Sequence, residues 1–70
     1  MQAMTDISLN YARCFSSAAG RSVLGHLRNI TIERTLGPNT SDNDLRWAEA
    51  QRALVRHIES QIARGRGDKL

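Results

Sequence analysis

The sequence has few of the residues that usually stabilise a very small domain. Its 70 residues include one cysteine (Cys14), one proline (Pro38) and three aromatic residues. One cysteine cannot form a disulfide within the chain, and a domain of this length buries only about 60% of the surface of its unfolded chain. We therefore expect association with other chains to supply part of the stability.

The sequence also lacks long hydrophobic runs. No apolar stretch approaches the roughly 20 residues that are needed to span a bilayer. The first ten residues, "MQAMTDISLN", have neither the basic region nor the apolar region of a signal peptide. Together with the single cysteine, these absences predict a protein of a reducing, cytoplasmic compartment with no membrane partner.

Groups that could carry out catalysis or hold a metal are few and scattered. His26 and His57 are far apart in the sequence, and Cys14 has no histidine or second cysteine near it. There is no glycine-rich phosphate loop and no paired-carboxylate motif. We therefore expect no catalytic residues, no metal site and no cofactor, and we interpret the protein as a non-enzyme.

Apolar residues recur at helical spacing in three segments, which predict three helices. The first helix is expected from Thr5 to Phe15, the second from Ala18 to Thr35 and the third from Asp42 to Arg64. Ser17 and Ser41 are suited to cap the second and third helices, because a serine hydroxyl accepts from an otherwise unpaired backbone N–H.

The segment "LGPNTSDND" ends the second helix, because Gly37 suits a C-cap and Pro38 cannot continue the helical hydrogen bonds. A connector of about six residues favours antiparallel neighbours. The predicted fold is all-α, an antiparallel helical hairpin with a short N-terminal helix packed across it. Residues 1–64 are expected to form a single domain, followed by a flexible basic tail over residues 65–70.

The helical spacing also predicts which residues are buried. Tyr11, Phe15 and Trp47 are expected to meet near one end of the hairpin, and Gly20 is expected to admit a close backbone neighbour. A second apolar edge, formed by Ile32 and Leu36, faces either the first helix or another chain and is the candidate oligomer or partner interface. The predicted core residues are Phe15, Val23, Leu27, Ile30, Trp47, Leu54 and Ile58.

Basic residues outnumber acidic ones by ten to seven, and nine of the ten are arginine. This excess permits contact with nucleic acid, but an ordinary solvated helix end would look similar. A helix-turn-helix is disfavoured because the third helix is too long and the turn is unsuitable. The candidate nucleic-acid contacts are Arg52, Arg56, Arg64, Arg66 and Lys69.

Two motifs in the chain resemble a known family. "YARCFSSAAGRSVLGHLRNIT" is similar to a pattern in which an aromatic residue and a Ser or Thr precede "GR-x-VL-x-x-L", and "EAQRALVRHIESQI" is similar to "EGQR-x-x-V-x-x-I". Both patterns occur in small tailed-phage proteins that are grouped with a Bordetella podophage domain family. The chain departs from the family at Ala18, where proline is common, and at Ala50, where glycine is common. The matching residues are Phe15, Ser17, Gly20, Arg21, Val23, Leu24, Leu27, Glu49, Gln51, Arg52, Val55 and Ile58.

The resemblance implies a phage or prophage origin and, by association, a role in virion assembly or DNA packaging. It implies location in the host bacterial cytoplasm or in the virion, and a phage structural or packaging protein as partner beside further copies of the chain. The alternatives are a DNA-binding packaging factor, similar to a reduced small terminase subunit, and a phage-encoded inhibitor of a host protein. Arg21, Glu49 and Arg52 recur in the motif, and they are predicted to form either a polar network between the helices or a partner-binding patch.

Overall fold

A computed structural model of the protein describes the backbone of residues 3–67 and the side chains of residues 7–67. It contains three helices, α1 (Ala3–Cys14), α2 (Ala18–Ile30) and α3 (Asp42–Arg66). The described residues include no strand, so the prediction of an all-α fold with three helices is confirmed. None of the described helices is long and apolar enough to cross a membrane.

Helix α1 packs on α3 at a point where only glycine fits. A Cβ atom on Gly65 would lie 2.1 Å from the carbonyl oxygen of Ser8 and 2.9 Å from the Cβ of Ala12. Next to this contact, the buried hydroxyl of Ser8 donates to the side-chain oxygen of Gln61, which is also buried. The two polar groups satisfy each other, so the close approach leaves neither of them without a hydrogen bond.

The helical domain ends later in the chain than predicted. Gly65 and Arg66, which the sequence analysis assigned to the tail, belong to α3, and the helix ends at the left-handed Gly67 (φ 84°). The N–H of Gly67 donates to the carbonyls of Ala63 and Arg64, as is usual for a helix that ends in a left-handed glycine. The rest of the predicted tail, residues 68–70, lies outside the described residues.

Helix α2 begins as predicted and ends earlier than predicted. The Ser17 hydroxyl accepts from the N–H of Gly20, as expected for an N-cap. A Cβ atom on Gly20 would lie 2.3 Å from the carbonyl oxygen of Cys14, which confirms the close backbone neighbour predicted there. The helix ends at Ile30, five residues before the predicted end at Thr35, because Thr31 leaves the helical conformation (φ −124°, ψ −77°).

Helices α2 and α3 run antiparallel, because their polar contacts pair in opposite order along the chain. Arg28 of α2 pairs with Glu59 of α3. Thr31 and Arg34 follow Arg28 in the chain, but their carbonyls accept from Arg52, which precedes Glu59. The packing is distributed differently from the prediction, however. Helix α1 packs extensively on α3, whereas α2 and α3 approach each other closely at only a few positions.

Four of the seven predicted core residues are exposed, because α2 packs loosely on α3. The buried apolar residues of α3 are Val55 and Ile62, which are 4% and 7% exposed. Phe15, Leu27 and Ile58 are partly buried. The core prediction was wrong for four residues that are exposed in the single chain, namely Val23, Ile30, Trp47 and Leu54.

The predicted aromatic cluster does not form either. The ring of Tyr11 lies edge-on to His57, with ring centres 6.4 Å apart, while Trp47 is 69% exposed near the other end of α3. Helical spacing grouped Trp47, Leu54 and Ile58 on α3, but it could not show how far along this helix a neighbouring helix reaches.

The single chain is extended for its size. Its radius of gyration is 14.4 Å, compared with about 11 Å for a compact chain of 70 residues. Its accessible surface is 5342 Å², compared with about 4400 Å² for a folded monomer of 7.8 kDa. Both quantities show that the chain on its own leaves an unusually large part of its surface in water.

Candidate interaction surface

One side of α3 is covered by another helix over only part of its length. Trp47, Leu54, Gln61 and Gly65 are spaced by seven, seven and four residues, so they lie on one side of the helix. Helix α1 covers the C-terminal part of this side through its contacts with Gln61 and Gly65. The N-terminal part is open, with Trp47 69% and Leu54 60% exposed.

Helix α2 contributes a second open pair, formed by Val23 and Ile30, which are 53% and 46% exposed. Each of these residues directly precedes one that faces α3: Leu24 lines a cleft together with Ile62, and Thr31 is buried. In the same way, Leu54 of α3 directly precedes the buried Val55.

These positions place both pairs on one side of the hairpin. Each residue of an α-helix is turned by about 100° from the residue before it. In two antiparallel helices, the residues directly before the inward-facing ones therefore point to the same side of the plane through both helix axes. Val23, Ile30, Trp47 and Leu54 therefore lie on the same side of the hairpin, and we call these four residues the open apolar face. If each residue has about 200 Å² of surface, their exposed fractions amount to on the order of 450 Å² in total.

The residues that were predicted as the interface lie beside this face rather than within its most exposed part. Ile32 and Leu36 are both only partly exposed. Leu36 lines a small pocket together with Trp47 at the connector between α2 and α3. An interface at Ile32 and Leu36 stays a prediction, and the most exposed large apolar residues of α3 are Trp47 and Leu54.

Arg52 fixes the connector between α2 and α3. Its Nε donates to the carbonyl of Thr31 (3.1 Å), one Nη donates to the carbonyl of Arg34 (2.9 Å), and the other Nη pairs with Glu49 (2.8 Å). The side chain is only 17% exposed. A guanidinium provides several N–H donors in a planar arrangement, which suits it to bind the carbonyls that are released where a helix ends.

The predicted polar network is therefore present in part. Glu49 and Arg52 pair as expected, but Arg21 lies elsewhere, where its Nη1 donates to the carbonyl of Ser16 (2.7 Å). The ion pair that joins α2 to α3 is formed instead by Arg28 and Glu59 (2.5 Å). The hydrogen bond that Arg28 donates to Glu59, together with the negative charge of that carboxylate, raises the pKa of Arg28. Sequence reasoning missed this pair because its members are 31 residues apart and only the antiparallel register brings them together.

The predicted nucleic-acid contacts do not share one face. Arg52 is engaged with the connector, as described above, and Lys69 lies outside the described residues. Arg56, Arg64 and Arg66 are exposed, but helical spacing distributes them over different sides of α3. The described part of the chain therefore has no continuous arginine stripe along this helix.

The three residues that were considered as possible catalytic groups have different surroundings. His57 packs edge-on against Tyr11, Cys14 is exposed, and His26 lies on the exposed side of α2. Among the described residues, no three His, Cys, Asp or Glu side chains are close enough to hold a metal ion together.

Comparison with known proteins adds one match, to a family of phage proteins. The model of the Bbp19-like phage protein family matches residues 11–69, which is most of the chain. The chain belongs to this family of Bbp19-like phage proteins. The family match confirms the resemblance that the two sequence motifs indicated. Neither a curated protein nor a solved structure matches the chain.

The family match extends over α2, α3 and the connector between them. It therefore includes Arg52 and all four residues of the open apolar face. It begins at residue 11, so the Ser8 that packs against Gly65 lies before the matched segment.

Proposed function

We propose that this small phage protein acts by protein–protein interaction in virion assembly or DNA packaging, without catalysing a reaction. The observation that carries the proposal is the open apolar face. A helix side that is covered by α1 at one end and exposed at the other is an incomplete helix interface, since burial of apolar surface is the main force that holds helices together.

A second copy of the chain is the partner that we propose for this face. Its exposed area is smaller than the roughly 800 Å² that each partner buries in a standard interface. Side chains around the rim, such as the partly buried Leu36, would supply the rest. Symmetric association of identical chains is also the commonest form of small assemblies. An assembly of this kind would then bind a phage structural or packaging protein.

Two substitutions of leucine on opposite sides of α3 test the proposal. Leu54 and Leu45 are both exposed, but nine residues separate them, so they point in opposite directions from the helix. Light scattering after size exclusion should show a discrete oligomer for the natural sequence and for Leu45→Ser. Leu54→Ser should be shifted towards the monomer. A natural chain that remains monomeric at high concentration would contradict the proposal.

The same measurement separates the alternative functions. A DNA-binding packaging factor would co-elute with a short DNA duplex at low ionic strength and would release it as salt is added, because phosphate contacts depend strongly on salt. A phage-encoded inhibitor would instead require a host protein that co-elutes with the natural chain. We expect no salt-sensitive complex with DNA, because the exposed arginines of α3 lie on different sides of the helix.

A further inference from the structure

A cleft of about 490 Å³ lies where α1, α2 and α3 meet, on a different part of the molecule from the open apolar face. Each helix contributes a large apolar side chain to its wall: Leu9 from α1, Leu24 from α2 and Ile62 from α3, with Phe15 at the turn between α1 and α2. Ligand pockets in proteins usually have volumes of about 300–1,000 Å³ and mainly apolar walls. The cleft thus has the size and lining of a site for a small molecule.

The charged residues among the described lining of the cleft are all arginines. Arg13, Arg21 and Arg66 line it, one from each helix, and none of the described lining residues is acidic. The hydrogen bond from Arg21 to the carbonyl of Ser16 holds this guanidinium beside the cleft, and a guanidinium has five N–H donors in all.

We propose that this cleft binds a small organic anion with an apolar body, such as a medium-chain fatty carboxylate. The apolar body would displace water from Leu9, Leu24 and Ile62, whose contacts favour any apolar group of suitable size. Arg13 and Arg21 would select for negative charge, because a guanidinium binds a carboxylate or phosphate through two parallel hydrogen bonds. A ligand with the same chain and a positive charge would be excluded.

Glycine amides provide an internal reporter for binding. Gly65 lines the cleft, whereas Gly25 and Gly37 have no neighbouring group within 4 Å of a Cβ position and do not line it. In a titration of the ¹⁵N-labelled full chain with decanoate, we expect the amide signals of Gly65 and Leu24 to shift and to saturate. The signal of Gly37, which is distant in sequence from every lining residue, should stay in place. Decyltrimethylammonium, which has the same chain and the opposite charge, should cause no saturable shift.

Paired substitutions test the role of the arginines. In Arg13→Gln/Arg21→Gln, decanoate should bind at least fivefold more weakly, with the helical content unchanged by circular dichroism. Arg13→Gln alone should also weaken the binding of decanoate, and it leaves the hydrogen bond of Arg21 to Ser16 in place. Arg46→Gln removes the same charge from an exposed position outside the cleft and should bind decanoate as the natural sequence does.

Three results would overturn the proposal: equal binding of the cation and the anion, shifts at Trp47 and Leu54 without shifts at Gly65, or unchanged affinity in the doubly substituted protein. The site shares no residue with the open apolar face. The titration therefore gives its answer whether or not the chain associates with a second copy.

Discussion

Gly65 and Gly25 both lie inside helices, but only Gly65 meets another backbone. Substituting Gly65 by alanine would place a methyl group 2.1 Å from the carbonyl oxygen of Ser8, so α1 must move away from α3. We expect the free energy of unfolding of Gly65→Ala to fall by about 1–3 kcal/mol or more, the range for overpacked interiors. Urea denaturation followed by circular dichroism would measure the change.

The control for this substitution is Gly25→Ala. A Cβ atom there has nothing within 4 Å, and alanine is preferred over glycine in a helix interior. The free energy of unfolding should therefore rise by roughly 0.4–1 kcal/mol. If both variants changed stability in the same direction, the close packing of α1 on α3 would not be what requires glycine at position 65.

Arg52 and Arg56 are one helical turn apart and differ in their surroundings. Arg52→Ala would remove the donors that hold the carbonyls of Thr31 and Arg34, and we expect it to lower the free energy of unfolding by about 1–3 kcal/mol. Arg56 is exposed, and its replacement by alanine should change stability by no more than about 0.5 kcal/mol. Thermal unfolding of the two variants would compare them directly, and equal effects would contradict the structural role of Arg52.

The residues that sequence reasoning placed correctly are those whose role is local. The caps at Ser17 and Ser41, the close neighbour of Gly20 and the pair of Glu49 with Arg52 all involve residues within a few positions of each other. Gly65 and the pair of Arg28 with Glu59 depend on residues that are far apart in the chain. A single sequence contains no signal for such contacts until the register of the helices is known.

At the scale of the helices, α3 depends on a single side-chain cap. The hydroxyl of Ser41 accepts from the N–H of Asp44 (3.1 Å), and Asp42 and Asp44 place negative charge at the positive end of the helix. Ser41→Ala should lower the free energy of unfolding by about 1 kcal/mol, since it leaves that N–H without its partner.

Ser22→Ala is the matched substitution for the cap, since Ser22 is an exposed residue in the interior of α2. Alanine has the higher helix propensity at such a position, so stability should stay the same or rise slightly. Chemical denaturation of both proteins in the same buffer would make the comparison. If Ser22→Ala lowered the free energy of unfolding as much as Ser41→Ala does, the effect would come from removing a serine in general and not from removing the cap.

The ends of the helices show which physical effects the sequence does not reveal. Periodicity predicted that α2 would continue to Thr35, but Thr31 leaves the helical conformation and Arg52 binds the carbonyls that follow. Glycine propensity predicted that α3 would end before Gly65, but packing against Ser8 retains Gly65 within the helix. In both cases a tertiary contact outweighs a local preference.

At the scale of the whole molecule, the short sequence and the open apolar face point to the same property. A chain of 70 residues has a small core, and here four of the exposed large apolar residues lie on one side of the hairpin. The all-α class followed from the sequence, but the open face did not. Its existence depends on how far α1 reaches along α3, which neither helical spacing nor composition determines.

The stability of the natural chain should therefore depend on its concentration. If a second copy covers the open apolar face, raising the protein concentration tenfold should raise the melting temperature by about 3–5 °C, because association stabilises only the folded state. Leu54→Ser should melt at the same temperature at every concentration, whereas Leu45→Ser should retain the dependence of the natural chain. Differential scanning calorimetry over a range of protein concentrations would measure these melting temperatures. A melting temperature that is independent of concentration in the natural chain would mean that the folded monomer is sufficient and that the face serves a different partner.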